Sequence, residues 1–219
     1  MKFDAILFDC DGVLVDSEPL VNAVLRDMLA EIGWDMSLDA CQRFFVGKTM
    51  RDERANIEAQ TGQPLTDAWF KRFYDRRNQV LRAELTIVAG AQAAVAAAQD
   101  HTGQRIACAS GADRFKVEMQ LTHVGLMSFF EGRIFSGHEM PRSKPAPDVY
   151  LAAARHLHAD PARCLVIEDS VVGATAGVAS GATVWAYCPL PEHGPALQAA
   201  GVQQLFGHMA DLPALLAAR

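Results

Sequence analysis

The chain has 219 residues, and its 26 acidic side chains outnumber its 20 lysines and arginines to give a formal net charge of −6 at pH 7. This balance, with no run of basic residues, disfavours nucleic acid or an anionic membrane as a partner. Half of the residues are apolar, which is enough for one large domain or a core with a small insertion. No apolar run approaches the length that spans a bilayer, and no signal segment is visible, so we expect a soluble, cytoplasmic protein, a monomer or a small homo-oligomer.

The five cysteines are odd in number and widely spaced, and none forms a CxxC pair. This pattern is typical of reduced thiols in a cytosolic protein rather than of disulfides or a zinc site. Cys10, Cys108 and Cys164 stand in or beside apolar runs, where an inert buried thiol is the expected state.

Taken in chain order, apolar runs of three or four residues predict strands that are separated by helical patterns. The predicted strands are residues 5–8, 106–109, 133–135, 164–167 and 183–186. The predicted helices beside them are residues 91–99, 114–123, 148–158, 171–180 and 212–216. This alternation indicates βαβ units, and hence a doubly wound (Rossmann-like) three-layer α/β/α fold around a parallel sheet.

Residues 17–85 break this alternation, because they show helical periodicity without a convincing strand. Pro19, just inside the first helical pattern, marks a helix start. We therefore predict two domains: an α/β core formed by residues 1–16 and 86–219, and an all-helical cap formed by residues 17–85. An insertion of this kind over the carboxyl edge of a sheet is expected to act as a lid.

Two carboxylates, Asp9 and Asp11, follow the first predicted strand. A strand that is apolar throughout is expected to be buried on both faces of a parallel sheet, so its first polar residues emerge at the carboxyl edge, where α/β enzymes place their chemistry. Positions two apart in an extended chain point to the same side, so Asp9 and Asp11 can converge on one site. Gly12 allows a sharp turn and a close approach of the backbone to a ligand.

Ser110 and Gly111 follow the second predicted strand and come shortly before a helix start. Free backbone N–H groups and the helix dipole favour an anion such as phosphate at this point. The equally weighted alternative is that Ser110 only caps the helix.

Lys144 and the acidic pair Glu168 and Asp169 occupy two further connections between a predicted strand and a helix. Pro145 restricts Lys144 to extended backbone, although most lysines are merely solvated. Adjacent acids at the end of a buried strand repel each other unless a cation or hydrogen-bond donors compensate them. The alternative is that Asp169 caps the next helix, with Gly173 and Gly177 allowing tight helix packing.

Four motifs thus fall at strand ends of one predicted sheet, and such ends share one edge. They are Asp9 with Asp11, Ser110 with Gly111, Lys144, and Glu168 with Asp169. Two acidic pairs, a donor site of phosphate size and a fixed cation suit phosphoryl transfer, in which charge neutralisation and positioning dominate catalysis. Carboxylates alone would repel a phosphate, so a hard divalent cation is required, and Mg²⁺ fits best.

In this order and spacing, the four motifs resemble those of the haloacid dehalogenase superfamily, and the resemblance spans nearly the whole chain. The DCDGVLVDSE start followed directly by a helical insertion is similar to the branch of β-phosphoglucomutase-like phosphatases, which carry a helical cap after the first motif. Residues 134–145 and 169–174 also resemble 6-phosphogluconate phosphatases.

The resemblance implies that Asp9 is a nucleophile that forms an aspartyl phosphate, and that Asp11 is the general acid and then the general base. It implies that Ser110, Gly111 and Lys144 hold the transferring phosphoryl group. The implied Mg²⁺ ligands are Asp9, the Asp11 backbone carbonyl and Asp169, with Glu168 as a nearby or outer ligand.

The predicted reaction is therefore hydrolysis of a small phosphorylated metabolite, either a sugar phosphate or a phosphorylated sugar acid. Asp11 disfavours a dehalogenase, because that reaction has no oxygen leaving group to protonate. Phosphonate hydrolysis is disfavoured because no cap lysine stands out as a Schiff-base former. A phosphomutase and a non-catalytic phosphate-ester-binding protein remain as alternatives.

Residues 46–51 form the cap loop that the resemblance expects to contact the leaving group. Gly47 and Thr49 match β-phosphoglucomutases, but Val46 and Met50 replace the basic residues that flank them there, which disfavours a mutase. In the same loop, Lys48 and Arg51 are candidates for binding an acidic leaving group, and Arg43, shortly before the loop, is a further candidate. A solvated face of the cap helices is an equally good account of these basic residues.

Overall fold

The computed structural model describes residues 3–45, 50 and 53–218. Its strands in chain order are β1 (Ala5–Phe8), β2 (Ile106–Ser110), β3 (Ile134–Ser136), β4 (Cys164–Glu168), β5 (Thr183–Tyr187) and β6 (Gln204–Phe206). They form one six-stranded sheet in the order β3-β2-β1-β4-β5-β6, with every neighbouring pair parallel. The predicted α/β fold around a parallel sheet is confirmed.

Helices in the described ranges fall into two groups, one within residues 17–85 and one that alternates with the strands. The first group is α1 (Glu18–Ala30), α2 (Leu38–Phe45), α3 (Arg54–Thr61) and α4 (Asp67–Glu84). The second group is α5 (Ala91–Thr102), α6 (Arg114–His123), α7 (Met127–Phe130), α8 (Asp148–His156), α9 (Val171–Ala179), α10 (Gly194–Ala199) and α11 (Leu212–Ala217). None of these helices is both long enough and apolar enough to cross a membrane.

Contacts between Cα atoms divide the chain into two compact units: Met1–Asp16 with Thr86–Arg219, and Ser17–Leu85. The α/β unit has its core on the central strands, whose side chains are buried on both faces, as in β1 and β4. The helical unit has a core of its own, in which the Trp69 and Phe73 rings stack with centroids 6.1 Å apart. Each unit thus buries its own apolar surface.

Strand β1 lies in the middle of the sheet, paired with β2 on one side and with β4 on the other. The chain therefore builds one side of the sheet through β3 and then crosses β1 to build the other side. The carboxyl ends on either side of such a crossing form the crevice in which doubly wound proteins bind ligands. Asp9, Ser110 and Glu168 lie at the ends of these three central strands.

Three sequence expectations differ from the structure in detail. Strand β6 was not predicted, because its two apolar residues, Leu205 and Phe206, follow a pair of glutamines that give no strand pattern. Asp113, not Ser110, caps α6, and its side chain accepts a hydrogen bond from Lys116 N at 2.9 Å. Similarly Ser170, not Asp169, caps α9.

The corrected cap assignment predicts a specific loss of stability. Asp113→Ala should lower the free energy of unfolding by about 1 kcal/mol, because it removes the side-chain acceptor for the first turn of α6. Asp113→Asn should change the free energy of unfolding by only a few tenths of a kcal/mol, since asparagine is an equally good cap. Urea denaturation of the three proteins measures the difference, and equal destabilisation by both variants would contradict the assignment.

Candidate active site

Asp9 follows β1 directly, where its backbone N–H donates to Ile167 O at 3.0 Å. The residue is only 8% exposed, and its Oδ1 accepts a hydrogen bond from Lys144 Nζ at 2.8 Å. Burial raises the pKa of Asp9 to about 7, because the Lys144 ammonium only partly offsets the loss of solvation and the Glu168 and Asp11 carboxylates oppose its ionisation. The strand thus delivers a carboxylate that holds its charge only at neutral pH and above.

Lys144 is the cation at the centre of the site. Besides Asp9, its Nζ donates to Glu168 Oε1 at 2.7 Å and to Tyr150 OH at 2.8 Å. Burial alone would lower the pKa of Lys144, but the two carboxylates reverse that effect and raise the pKa well above its ordinary value. Lys144 is therefore an ammonium held at a fixed place by three buried partners.

Glu168, the last residue of β4, is fully buried. Its Oε1 accepts from Lys144 and from Tyr150 OH, while its Oε2 accepts from the Asp169 and Ser170 N–H groups and from Ser170 Oγ. Burial would raise the pKa of Glu168, but the Lys144 ammonium and these donors lower it overall. An ionised carboxylate with both oxygens occupied by protein donors anchors Lys144 rather than presenting itself to a ligand.

Two glycines leave room for this arrangement. Gly12 has φ +76°, and a Cβ there would lie 2.0 Å from Asp169 Oδ2. Similarly, a Cβ on Gly173 would lie 1.7 Å from Glu168 Oε1, so this glycine makes space for the carboxylate rather than for the helix packing we expected. Gly177 does provide the close helix packing that we expected, because a Cβ there would approach Val184 Cγ2 to 2.8 Å.

Carboxylate oxygens of Asp9, Glu168 and Asp169 lie within 4.8 Å of one another. Hard oxygen donors at this spacing fit a divalent cation such as Mg²⁺ or Ca²⁺. The lack of a Cβ at Gly12 matters here, because it lets the backbone after β1 lie directly against the Asp169 carboxylate. The residues present are therefore compatible with a metal centre.

Ser110 and Gly111 leave the end of β2 beside the segment that carries Lys144. The Ser110 side chain is 1% exposed, and its Oγ accepts from Ala112 N at 3.1 Å. A Cβ on Gly137 would lie 2.8 Å from Ser143 Oγ and 3.3 Å from Gly111 Cα, so the two segments meet at this glycine. The hydroxyl, the glycine and the ammonium are thus gathered at one end of the sheet.

Comparison with known proteins identifies the family. The sequence model of the haloacid dehalogenase-like hydrolase family matches residues 3–181 of this chain. The chain belongs to this family. The hydrolase is 27% identical to the 6-phosphogluconate phosphatase of Escherichia coli K12, over all of this chain and 96% of that protein. It is 29% identical to hexitol phosphatase B of the same strain, over 80% of this chain and 79% of that protein.

Solved structures agree with this assignment. A HAD family hydrolase from Deinococcus radiodurans R1, determined with bound phosphate and sodium, superposes with a TM-score of 0.81 at 33% identity, over 99% of this chain and 96% of that one. A haloacid dehalogenase-like protein from Agrobacterium tumefaciens superposes with a TM-score of 0.85 at 31% identity, over 99% of this chain and 98% of that one. These findings confirm the predicted family and the predicted hydrolase class, whose named relatives here are phosphatases.

Asp11 lies apart from the Lys144 cluster in its hydrogen bonding. Strand β1 ends at Phe8, three residues before Asp11. Its carboxylate is bound by Lys116 Nζ, at 2.7 and 2.8 Å to the two oxygens, and by Gln120 Nε2 at 2.9 Å. The two aspartates of the hydrolase therefore face different cations.

The cap residues that we predicted to contact the leaving group, Gly47, Lys48, Thr49 and Arg51, lie outside the described residues. Arg43, a further basic candidate in the same unit, pairs with Asp39 on the exposed surface of α2.

Three polar residues of the hydrolase site were missed by sequence reasoning: Lys116, Gln120 and Tyr150. Lys116 and Gln120 are four positions apart in a predicted helix, so they share one face, and that pairing was an available signal. Tyr150 stands in the first turn of α8, six residues after Lys144. Burial raises the pKa of its phenol well above the ordinary value, so the hydroxyl stays protonated and donates a hydrogen bond to Glu168.

The contact between Gly173 and Glu168 predicts a strong effect of one methyl group. Gly173→Ala should lower the free energy of unfolding by about 1–3 kcal/mol, because the Cβ must displace a buried, fully hydrogen-bonded carboxylate. Thr175→Ala, on the exposed face of the same helix, is the control and should change it by less than about 0.5 kcal/mol. Chemical denaturation measures both, and a Gly173→Ala protein as stable as the control would disprove the tight contact.

Proposed function

We propose that this hydrolase is a Mg²⁺-dependent phosphatase that hydrolyses a small phosphorylated metabolite through an aspartyl phosphate. The observation that carries the proposal is the Lys144 ammonium, held between Asp9 and Glu168 beside the Ser110–Gly111 segment. A phosphoryl group placed there would meet a nucleophilic oxygen and a fixed positive charge at once, which is what phosphoryl transfer requires.

In this proposal, Asp9 is the nucleophile. Its backbone is fixed by the hydrogen bond to Ile167, and its burial removes most of the water that would otherwise solvate the carboxylate. Attack of an Asp9 oxygen on phosphorus forms an acyl phosphate and releases the alcohol. Attack of water on that phosphorus then releases inorganic phosphate and restores the carboxylate.

Asp11 carries the protons in both half-reactions. It donates a proton to the oxygen of the departing alcohol, and it then accepts a proton from the attacking water. Its separate hydrogen bonding to Lys116 and Gln120 supports this division of roles, because Lys144 is left to Asp9.

Binding of the phosphoryl group is assigned to Lys144, Ser110 Oγ and the Gly111 N–H. The residues proposed to hold Mg²⁺ are Asp9, the Asp11 backbone carbonyl and Asp169, with Glu168 outside the coordination shell because protein donors occupy its oxygens. When bound, the ion supplies positive charge that offsets the repulsion between the carboxylates and the phosphate.

The substrate class is a sugar phosphate or a phosphorylated sugar acid. Support comes from the similarity to a 6-phosphogluconate phosphatase and a hexitol phosphatase. We further propose that the helical unit, Ser17–Leu85, is a cap domain and that its residues 46–51 contact the leaving group.

The test is release of inorganic phosphate from a panel that includes 6-phosphogluconate, hexitol phosphates and β-glucose 1-phosphate. Wild type should release phosphate from at least one sugar ester, and Asp9→Asn should reduce the rate at least about a thousandfold by removing the nucleophile. Asp100→Asn, on the surface of α5, is the control and should match wild type. Equal rates in wild type and Asp9→Asn would refute the mechanism, and isomerised sugar phosphate without phosphate release would indicate a mutase.

The raised pKa of Asp9 predicts that Mg²⁺ binding depends on pH. Below a pKa of about 7 the carboxylate holds a proton that the cation must displace, whereas above it the carboxylate is already ionised. Binding should therefore release close to one proton per ion at about pH 6 and close to none at about pH 8.5, with tighter binding at the higher pH. Titration calorimetry in buffers of different ionisation enthalpy counts these protons, and a release that does not change with pH would contradict the assignment of Asp9 as a ligand.

A further inference from the structure

We propose that Lys116 and Gln120 form a clamp that positions the Asp11 side chain and stabilises the carboxylate that it becomes when its proton passes to the leaving group. The proposal rests on the proposed function, because it gives Asp11 the proton-transfer role. It adds two positioning residues on α6, neither of which belongs to the four motifs that pointed to the family. The name "α6 clamp" is used below for these two side chains.

The α6 clamp donates three hydrogen bonds to one carboxylate, that of Asp11. Lys116 Nζ donates to both oxygens of Asp11, at 2.7 Å to Oδ1 and 2.8 Å to Oδ2, and Gln120 Nε2 adds a third bond to Oδ1 at 2.9 Å. Contacts to both oxygens fix the plane of the carboxylate as well as its distance. The two clamp residues stand four positions apart, so the same face of α6 presents both.

Burial makes the clamp rigid. Lys116 is 7% exposed and Gln120 is fully buried, so packing rather than solvent sets their side-chain conformations. The amide of Gln120 is oriented from its other end, because its Oε1 faces the Cys10 thiol at 3.7 Å and accepts from it. Cys10, which we expected to be inert, thereby directs the amide N–H₂ group towards Asp11.

A clamp is needed because Asp11 has less support from its own strand than Asp9 has. The residue lies three positions beyond the end of β1, and its side chain is 22% exposed. A carboxylate free to change rotamer would spend little time near the leaving oxygen, and misplacement by 1 Å can cost a hundredfold in rate. The α6 clamp removes that freedom with a cation other than Lys144.

Steady-state kinetics on two esters that differ in their need for an acid tests the proposal. The alcohol of 6-phosphogluconate must be protonated as it leaves, whereas the phenolate of 2,4-dinitrophenyl phosphate departs without a proton. Lys116→Met should lower kcat/KM for 6-phosphogluconate, or for the best sugar ester of the panel, by about tenfold to a hundredfold, since general acid catalysis contributes at least that much. For 2,4-dinitrophenyl phosphate, kcat/KM should fall less than about threefold.

Further variants separate positioning from folding. Lys116→Arg keeps a bidentate cation and should recover most of the lost kcat/KM, and Gln120→Met should show the same ester selectivity with a smaller loss. Glu118→Gln, whose side chain is partly exposed on the same helix and contacts neither Lys116 nor Gln120 in the ion pair it forms with Arg114, is the control and should resemble wild type. An equal loss on both esters, or no recovery with arginine, would overturn the proposal.

Crystal structures distinguish failure of the clamp from failure of the proposed function. In wild type, the Asp11 carboxylate should face α6, and in Lys116→Met it should turn away or show two conformers. An unchanged Asp11 in the variant would overturn the clamp whatever the activity. A displaced Asp11 in a protein that releases phosphate from neither ester would support the clamp and reject the phosphatase.

Discussion

The site depends on one electrostatic constraint: carboxylates concentrated at the end of a buried parallel sheet must be balanced by cations in fixed positions. Asp9 and Glu168 share the Lys144 ammonium, and that single positive charge does not neutralise both. Burial, together with the neighbouring Glu168 and Asp11 carboxylates, raises the pKa of Asp9 to about 7, while Glu168 remains ionised among five donors. The site therefore carries more carboxylates than cations, and a divalent cation would offset the excess negative charge.

The fold supplies this arrangement through the position of β1. Because β1 lies between β2 and β4, the residues that end these three strands meet at one edge although they are far apart in sequence. The Ser110 hydroxyl arrives there, together with the Asp9 and Glu168 carboxylates, from three separate βα units. Fully buried strands make these positions rigid, and a rigid frame is what permits charges to be held so close together.

Much of the architecture could be predicted from the sequence. The helix over 114–123 has the bounds that the structure gives, and each predicted strand was found, because short apolar runs between helical patterns leave few alternatives. The grouping of Asp9, Ser110, Lys144 and Glu168 at one sheet edge followed from the direction shared by parallel strands. Strand β6 was missed because its two apolar residues follow Gln203 and Gln204, which give no strand pattern.

The sequence by itself determined which chemical groups the site contains, since the motifs lie next to strand ends and local patterns define those ends. Tertiary structure decided how the groups are paired. Hydrogen bonding assigns Lys144 to Asp9 and Glu168, and Lys116 with Gln120 to Asp11. Such pairing depends on distances between residues that are 24 to 135 positions apart in the chain. Packing of α6 and α8 against the sheet sets these distances, and no local pattern encodes them.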